Sequence, residues 1–159
     1  IIRDLKSDTN SPNLASENAT IFNFDSNDID VPSLPFTVDT YIENPDEIIA
    51  IELKSVRPNS GEGRGEKQKI LYGKAALKLL HSEKNIRYFV GFPFDPTSTT
   101  PTGYDKGRFF NYLIEFKKFF DPNEVLIASE LWDYLSGSKN TMEEILSVIE
   151  TVVKKVKVC

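Results

Sequence analysis

Two consecutive segments of alternating apolar and polar residues constrain the fold most strongly. The first runs from Phe36 to Glu43 and the second from Ile48 to Val56, with the tetrapeptide Asn44-Pro45-Asp46-Glu47 between them. Alternation with a period of two is typical of strands, and Asn, Pro and Asp are favoured in turns. The pattern therefore predicts a β-hairpin.

The length of the turn determines which residues of the hairpin face each other. A four-residue loop pairs Glu43 with Ile48, so that the numbers of paired residues sum to 91. This register places Asp39 directly opposite Glu52 on one face of the hairpin, and apolar pairs on the other face. Lys54 follows Glu52 by two residues and therefore lies on the same face.

Two carboxylates that meet across neighbouring strands repel each other unless a cation compensates them. Mg²⁺ binds proteins through one or two carboxylates and retains several waters, which phosphate can displace. A lysine beside such an ion can orient a water molecule or stabilise negative charge on a phosphate. Asp39, Glu52 and Lys54 are therefore predicted to form a metal-dependent phosphodiesterase site. The alternative is that Glu-x-Lys, a common pattern, is only the exposed face of an edge strand.

The remaining elements alternate between strands and helices. The patterns predict strands at Thr20–Phe24, 85–92 and 125–128, helices from Glu66 to Ser82 and from Phe109 to Phe120, and two C-terminal helices from Ser129 and Thr141. Residues 7–19 are polar and are expected to form a loop or mobile segment. This order predicts an α/β fold, a mixed β-sheet flanked by helices. The 159 residues have the length of one domain.

The charge distribution indicates a phosphate-binding face. The net charge is −5, yet the segment from Lys54 to Arg87 contains nine basic and three acidic residues. A basic segment on an acidic body is typical of a protein that meets nucleic acid on one side. The candidate phosphate contacts here are Arg57, Arg64, Lys67 and Lys69, with a solvated side chain as the alternative for each. Glu66 is a candidate for supporting a second metal ion.

Other classes of protein are disfavoured by composition. The single histidine, His81, and the single cysteine, Cys159, exclude sites built from histidine clusters or several cysteines, and exclude an internal disulfide. No stretch approaches the roughly 20 apolar residues of a membrane helix. We therefore expect no membrane association and a cytoplasmic location.

The arrangement resembles a known superfamily. An aspartate in one strand, Glu-x-Lys in the next strand of a hairpin, then a helix and a further strand are similar to PD-(D/E)xK nucleases, with Val38 where proline is usual. More closely, residues 51–59, 65–71 and 73–77 resemble the TdeIII family of type II restriction endonucleases.

The resemblance implies Mg²⁺-dependent hydrolysis of both strands of double-stranded DNA at a short palindrome, GGNCC in that family, leaving 5′-phosphate ends. It implies that Asp39 and Glu52 bind the metal, that the Leu53 carbonyl adds a ligand, and that Lys54 is the catalytic lysine. It also implies a homodimer. Gln68 and Tyr72 resemble the Gln-x-x-x-Tyr element of some relatives of this fold, which implies that Gln68 contacts the scissile phosphate, with packing as the alternative role of Tyr72. The first part of that family's sequence has no counterpart here, so residues 1–159 are expected to form a single nuclease domain that lacks an N-terminal part.

Two other functions are compatible with these residues. One is a DNA repair or recombination nuclease with the same core, which acts on DNA structure rather than sequence. The other is a non-catalytic nucleic-acid-binding module, which the acidic net charge favours and the complete set of Asp39, Glu52 and Lys54 disfavours.

Overall fold

A four-stranded mixed sheet organises residues 1–23, 35–55 and 62–156, the part of the chain that the computed structural model describes. Its strands are β1 (Thr40–Glu43), β2 (Glu47–Leu53), β3 (Asn85–Phe92) and β4 (Val125–Ile127), in that spatial order. β1 and β2 are antiparallel, whereas β2–β3 and β3–β4 are parallel pairs. Parallel neighbours need crossover connections, which helices supply here.

The hairpin has the predicted register. Thr40 pairs with Ile51 and Glu43 with Ile48, so the prediction is confirmed. β2 is an inner strand, because β3 pairs with its other side. Glu52 and Lys54 therefore do not lie on an edge strand, and that alternative interpretation is wrong.

Helices cover both faces of the sheet. They are α1 (Ile2–Lys6), α2 (Leu14–Phe22), α3 (Glu62–Leu80), α4 (Lys106–Tyr112), α5 (Ile114–Lys117), α6 (Ser129–Ser136) and α7 (Thr141–Val156), with a 3₁₀ turn at Pro122–Glu124. On one face, Ile70 and Leu77 of α3 belong to the same core as Tyr88 of β3. On the other face, Leu131 of α6 belongs to a second core with Ile51. The predicted fold class, a mixed sheet flanked by helices, is confirmed.

The N-terminal region differs from its predicted structure. The expected loop at 7–19 and the expected strand at Thr20–Phe24 are wrong where α2 forms, and Phe24 lies outside the described residues. The Asn13 side chain caps α2 by accepting a hydrogen bond from the Ser16 backbone N–H at 2.8 Å. Glu17 of α2 is buried and forms an ion pair with Lys67 of α3. A capping residue and a distant cation thus stabilise a helix in a polar segment.

Two other helices have different bounds from those predicted. α3 already includes Glu62, although the helix was expected to begin at Glu66. The helix expected over Phe109–Phe120 is divided at Leu113, whose φ of −103° and ψ of 63° are not helical. It also begins earlier, because the Asp105 side chain accepts a hydrogen bond from the Arg108 backbone N–H at 2.9 Å.

Candidate active site

The carboxyl end of β2 brings together the three residues predicted to form the site. Asp39 immediately precedes β1, and its Oδ2 accepts a hydrogen bond from the Leu53 backbone N–H at 2.8 Å. Glu52 is buried on the face that α3 covers. The Lys54 ammonium contacts Glu52 Oε1 at 3.1 Å. The observed register begins with the pair Thr40 and Ile51, and the predicted pairing of Asp39 with Glu52 is its extension by one residue.

Helix α3 adds two charged side chains to these three. Lys69 Nζ donates to Glu52 Oε2 at 2.7 Å, and Glu66 Oε1 lies 2.8 Å from Lys54 Nζ. Glu66 and Lys69 are three residues apart and thus share one side of the helix. We call Asp39, Glu52, Lys54, Glu66 and Lys69 the β2–α3 cluster. Its three carboxylates and two ammonium groups give a formal charge of −1.

The surroundings keep Lys54 protonated. Burial is the largest influence on the pKa of Lys54 and lowers it, but the hydrogen bonds to Glu66 and Glu52 and the charges of both carboxylates together raise the pKa above its ordinary value. Lys54 is therefore a cation at neutral pH. It can donate hydrogen bonds and stabilise negative charge, and it cannot accept a proton.

Two buried polar atoms at this site have no hydrogen-bond partner among the described residues. They are Glu66 Oε2 and the Tyr88 hydroxyl. Burial raises the pKa of the Tyr88 hydroxyl far above its usual range, and the charges of Glu52, Glu66 and Asp39 raise it further. The hydroxyl is thus a neutral donor close to the carboxylates of the cluster.

The donor groups of the cluster suit a divalent cation. Within residues 1–23, 35–55 and 62–156, no three His, Cys, Asp or Glu side chains lie close enough to form a metal cage. Mg²⁺ does not need such a cage, because it uses one or two carboxylates together with water and phosphate. The net negative charge and the unpaired Glu66 oxygen both favour a bound cation.

The predicted phosphate contacts have different environments. Arg64 and Gln68 are exposed on α3, one helical turn apart. Lys69 lies in the β2–α3 cluster, and its side chain is 28% exposed. Arg57 lies outside the described residues.

The prediction that Lys67 contacts phosphate is wrong, because its side chain is 0% exposed and cannot reach a phosphate. Its ammonium pairs with Glu124 at 2.5 Å and with Glu17. Lys74, also buried, contacts the other oxygen of Glu124 at 3.0 Å. Lys67 and Lys74 have the same helical spacing as the apolar stripe of α3, which includes Ile70. That spacing was the signal in the sequence that they are interior residues.

The order of the strands and the position of the cluster define the class of protein. An antiparallel hairpin, a helical crossover to a parallel strand, and Glu-x-Lys at the end of the inner hairpin strand form a restriction-endonuclease-like core. No described helix is long and apolar enough to cross a membrane.

Comparison with known proteins identifies the family. The chain belongs to the HinfI family of type II restriction endonucleases, whose model matches residues 1–153. It is 52% identical over 157 residues to the type II restriction enzyme MjaII of Methanocaldococcus jannaschii. The aligned region covers 97% of this chain and 42% of MjaII. The chain therefore spans about two fifths of this relative. No solved structure matches. The predicted class is confirmed, whereas the narrower TdeIII resemblance is not.

Proposed function

We propose that this chain forms the catalytic core of a type II restriction endonuclease of the PD-(D/E)xK type, which hydrolyses both strands of double-stranded DNA with Mg²⁺. The observation that supports the proposal most directly is the grouping of Asp39, Glu52 and Lys54 at one end of β2, in a member of a restriction endonuclease family. Such an enzyme acts on DNA in the cytoplasm.

The residues of the cluster have distinct roles in this proposal. Asp39 and Glu52 hold Mg²⁺, and the Leu53 carbonyl at the same strand end adds a ligand. The bound ion supplies Lewis acidity and lowers the pKa of a water nucleophile. Lys54, kept cationic by Glu52 and Glu66, donates hydrogen bonds to that water or to a phosphate oxygen and stabilises charge as the P–O3′ bond breaks. The products then carry 5′-phosphate and 3′-hydroxyl groups.

DNA approaches the site along α3 in this proposal. Arg64 and Gln68 are exposed there, next to the cluster residue Lys69, and they contact the phosphate backbone together with Arg57. Phosphate contacts position the duplex without reading its sequence. The proposed target, GGNCC, rests on the resemblance of residues 51–59, 65–71 and 73–77 to the TdeIII family.

A homodimer follows from the symmetry of a palindromic target. Two identical sites related by a twofold axis cut equivalent bonds on the two strands. Helix α7 offers a surface for such pairing, because six of its apolar side chains are exposed: Ile145, Val148, Ile149, Val152, Val153 and Val156.

Plasmid cleavage tests the proposed activity. The wild-type protein with Mg²⁺ is expected to give discrete fragments, and EDTA is expected to abolish them. Lys54→Ala is expected to reduce the cleavage rate by at least about 100-fold, because it removes the cation that stabilises charge on the phosphate. Lys139→Ala, which changes an exposed lysine between α6 and α7, serves as the matched control.

The outcomes distinguish the functions. Cleavage that is independent of metal, or equal in Lys54→Ala and wild type, contradicts the proposed mechanism. A smear or cutting confined to branched DNA indicates a repair nuclease, and binding without cleavage indicates a DNA-binding module.

A further inference from the structure

Glu66 contributes a carboxylate to the site from outside the hairpin. It lies in the first turns of α3, and its Oε1 contacts the Lys54 ammonium at 2.8 Å. Its Oε2 is buried and has no hydrogen-bond partner among the described residues. A buried carboxylate oxygen without a partner is unfavourable, because desolvation is not offset by a new interaction. An oxygen in this position is suited to a ligand that is bound in the working enzyme.

Tyr88 provides an independent observation of the same kind. Its side chain lies on β3 and is almost fully buried, with the residue 2% exposed, and its hydroxyl also has no hydrogen-bond partner within the described part of the chain. The ring packs on α3 at Gly73, where a Cβ atom would lie only 2.8 Å from Tyr88 Cε2. The hydroxyl lies close enough to Glu52, Glu66 and Asp39 to feel their charges. The Tyr88 hydroxyl and Glu66 Oε2 therefore both lie in the same cluster and both lack a hydrogen-bond partner among the described residues.

The charges of the cluster specify what kind of ligand fits. Both oxygens of Glu52 already contact ammonium groups, Oε1 that of Lys54 and Oε2 that of Lys69. Glu66 contacts Lys54 through only one of its oxygens, and the cluster as a whole is one unit negative. The ligand that this charge favours is a hydrated cation, whose waters can donate hydrogen bonds to a carboxylate oxygen and to a phenol oxygen.

We infer that Glu66 is a third carboxylate of the divalent-cation site, which binds the ion through one of its waters, with the Tyr88 hydroxyl as a further hydrogen-bond partner of those waters. This inference rests on the proposed metal-dependent function, which assigns the ion to Asp39 and Glu52. It adds a carboxylate from α3, so that the helix and the hairpin together hold the hydrated cation.

The alternative role for Glu66 is to position Lys54 without contacting the ion or its waters. The two roles separate in a Lys54→Met background, where there is no ammonium group to position. Binding of Mn²⁺ in the absence of DNA, measured by titration calorimetry and by electron paramagnetic resonance at physiological salt, reports on the site without requiring cleavage. Lys54→Gln provides a second background if Lys54→Met does not fold.

Glu66→Gln is expected to weaken Mn²⁺ binding by roughly tenfold or more, both in the wild-type protein and in the Lys54→Met background. Tyr88→Phe is expected to weaken it by a smaller factor. Glu144→Gln removes the same charge from an exposed position on α7 and is expected to leave binding unchanged. Thermal melting of each variant verifies that it is folded.

An effect of Glu66→Gln that disappears in the Lys54→Met background shows a positioning role only and overturns the inference. Glu52→Gln distinguishes this failure from failure of the proposed function. If Glu52→Gln weakens Mn²⁺ binding and Glu66→Gln does not, only the role of Glu66 is wrong. If neither substitution affects binding, the metal site itself is wrong.

Discussion

Asp95 uses both carboxylate oxygens to organise the loop between β3 and α4. Oδ1 accepts hydrogen bonds from the Thr97 backbone N–H at 2.8 Å and from the Thr97 hydroxyl at 2.6 Å, and Oδ2 accepts one from the Asp105 N–H at 3.0 Å. Burial alone raises the pKa of Asp95, but these hydrogen bonds and the charge of Arg108 outweigh it and lower the pKa below its ordinary value. The folded protein thus favours the ionised form.

Asp95→Asn is expected to lower the free energy of unfolding by about 1–3 kcal/mol at neutral pH. Because the pKa of Asp95 is lower in the folded than in the unfolded state, its contribution is complete above the unfolded value of about 3.9 and is lost as the pH falls through the folded value. The difference between wild type and variant should therefore be constant from pH 7 to 5 and shrink below about pH 4. Urea unfolding at several pH values measures it.

The control for this experiment is Asp46→Asn, which changes an exposed aspartate in the hairpin turn. Its effect on unfolding is expected to be small. A difference for Asp95→Asn that grows on acidification would contradict the assigned role of its carboxylate.

Lys67 and Lys69 show what could not be predicted for single residues. They are two positions apart, yet Lys67 is interior and Lys69 lies in the β2–α3 cluster, because successive residues rotate by about 100° around the helix. Asp39, Glu52 and Lys54 could be placed from the sequence, because a turn of known length fixes the register. The partners of Lys67, Glu17 and Glu124, come from elements 50 and 57 residues away along the chain, and no local pattern relates them.

Among the secondary-structure elements, α3 contains three glycines, of which Gly65 and Gly73 have opposite environments. A Cβ atom at Gly73 would lie 2.8 Å from the Tyr88 ring and 3.3 Å from Phe36, whereas one at Gly65 would meet no heavy atom within 4 Å. The close approach of α3 to β3 thus depends on Gly73. This contact also holds the Tyr88 ring beside the β2–α3 cluster.

Gly73→Ala is expected to destabilise the protein by about 1–3 kcal/mol, because either the Tyr88 ring or the helix must move. Gly65→Ala, on the same helix, is expected to stabilise it by up to about 1 kcal/mol through helix propensity alone. Denaturant unfolding of both variants measures the two effects. Equal stability of the two variants would contradict the packing described for Tyr88.

Elements with strong local patterns were predicted well. Strand β3 has the predicted bounds of 85–92, and the hairpin has the predicted register. Helix α2 was missed, because its stability depends on the Asn13 cap and on the buried pair between Glu17 and Lys67 rather than on an apolar stripe. Sequence periodicity reports burial of apolar faces, and it does not detect a helix that is anchored by an ion pair.

At the scale of the whole molecule, α7 is the described element with the largest number of exposed large apolar side chains. Its Met142 packs on the core, while six Ile and Val side chains along it are between 37% and 71% exposed. Ile145, Ile149, Val152 and Val156 follow each other at intervals of four, three and four residues, which is the spacing of a coiled-coil seam. Contiguous apolar surface of this kind marks a protein–protein contact.

The apolar seam of Ile145, Ile149, Val152 and Val156 is suited to pairing with the same seam of a second copy. None of its members is charged, and Glu150 and Lys154, which lie outside it, form an ion pair with each other at 2.6 Å. A twofold axis brings the same surface of two copies together, so an uncharged apolar seam meets its equivalent without repulsion. We therefore expect the proposed homodimer to use α7, and disruption of this surface to affect cleavage of both strands.

Val152→Lys places a charge in the middle of this seam. The wild type is expected to sediment as a dimer at twice the chain mass of 18.0 kDa, and the variant as a monomer, because a buried, unpaired ammonium in the interface is strongly unfavourable. The variant should also lose concerted cutting of both DNA strands, which is measured as less linear product from a supercoiled plasmid. Ser147→Lys adds the same charge to the opposite side of α7 and should remain dimeric. A wild type that is monomeric at all concentrations, or a Val152→Lys variant that stays dimeric, would exclude α7 as the dimer interface.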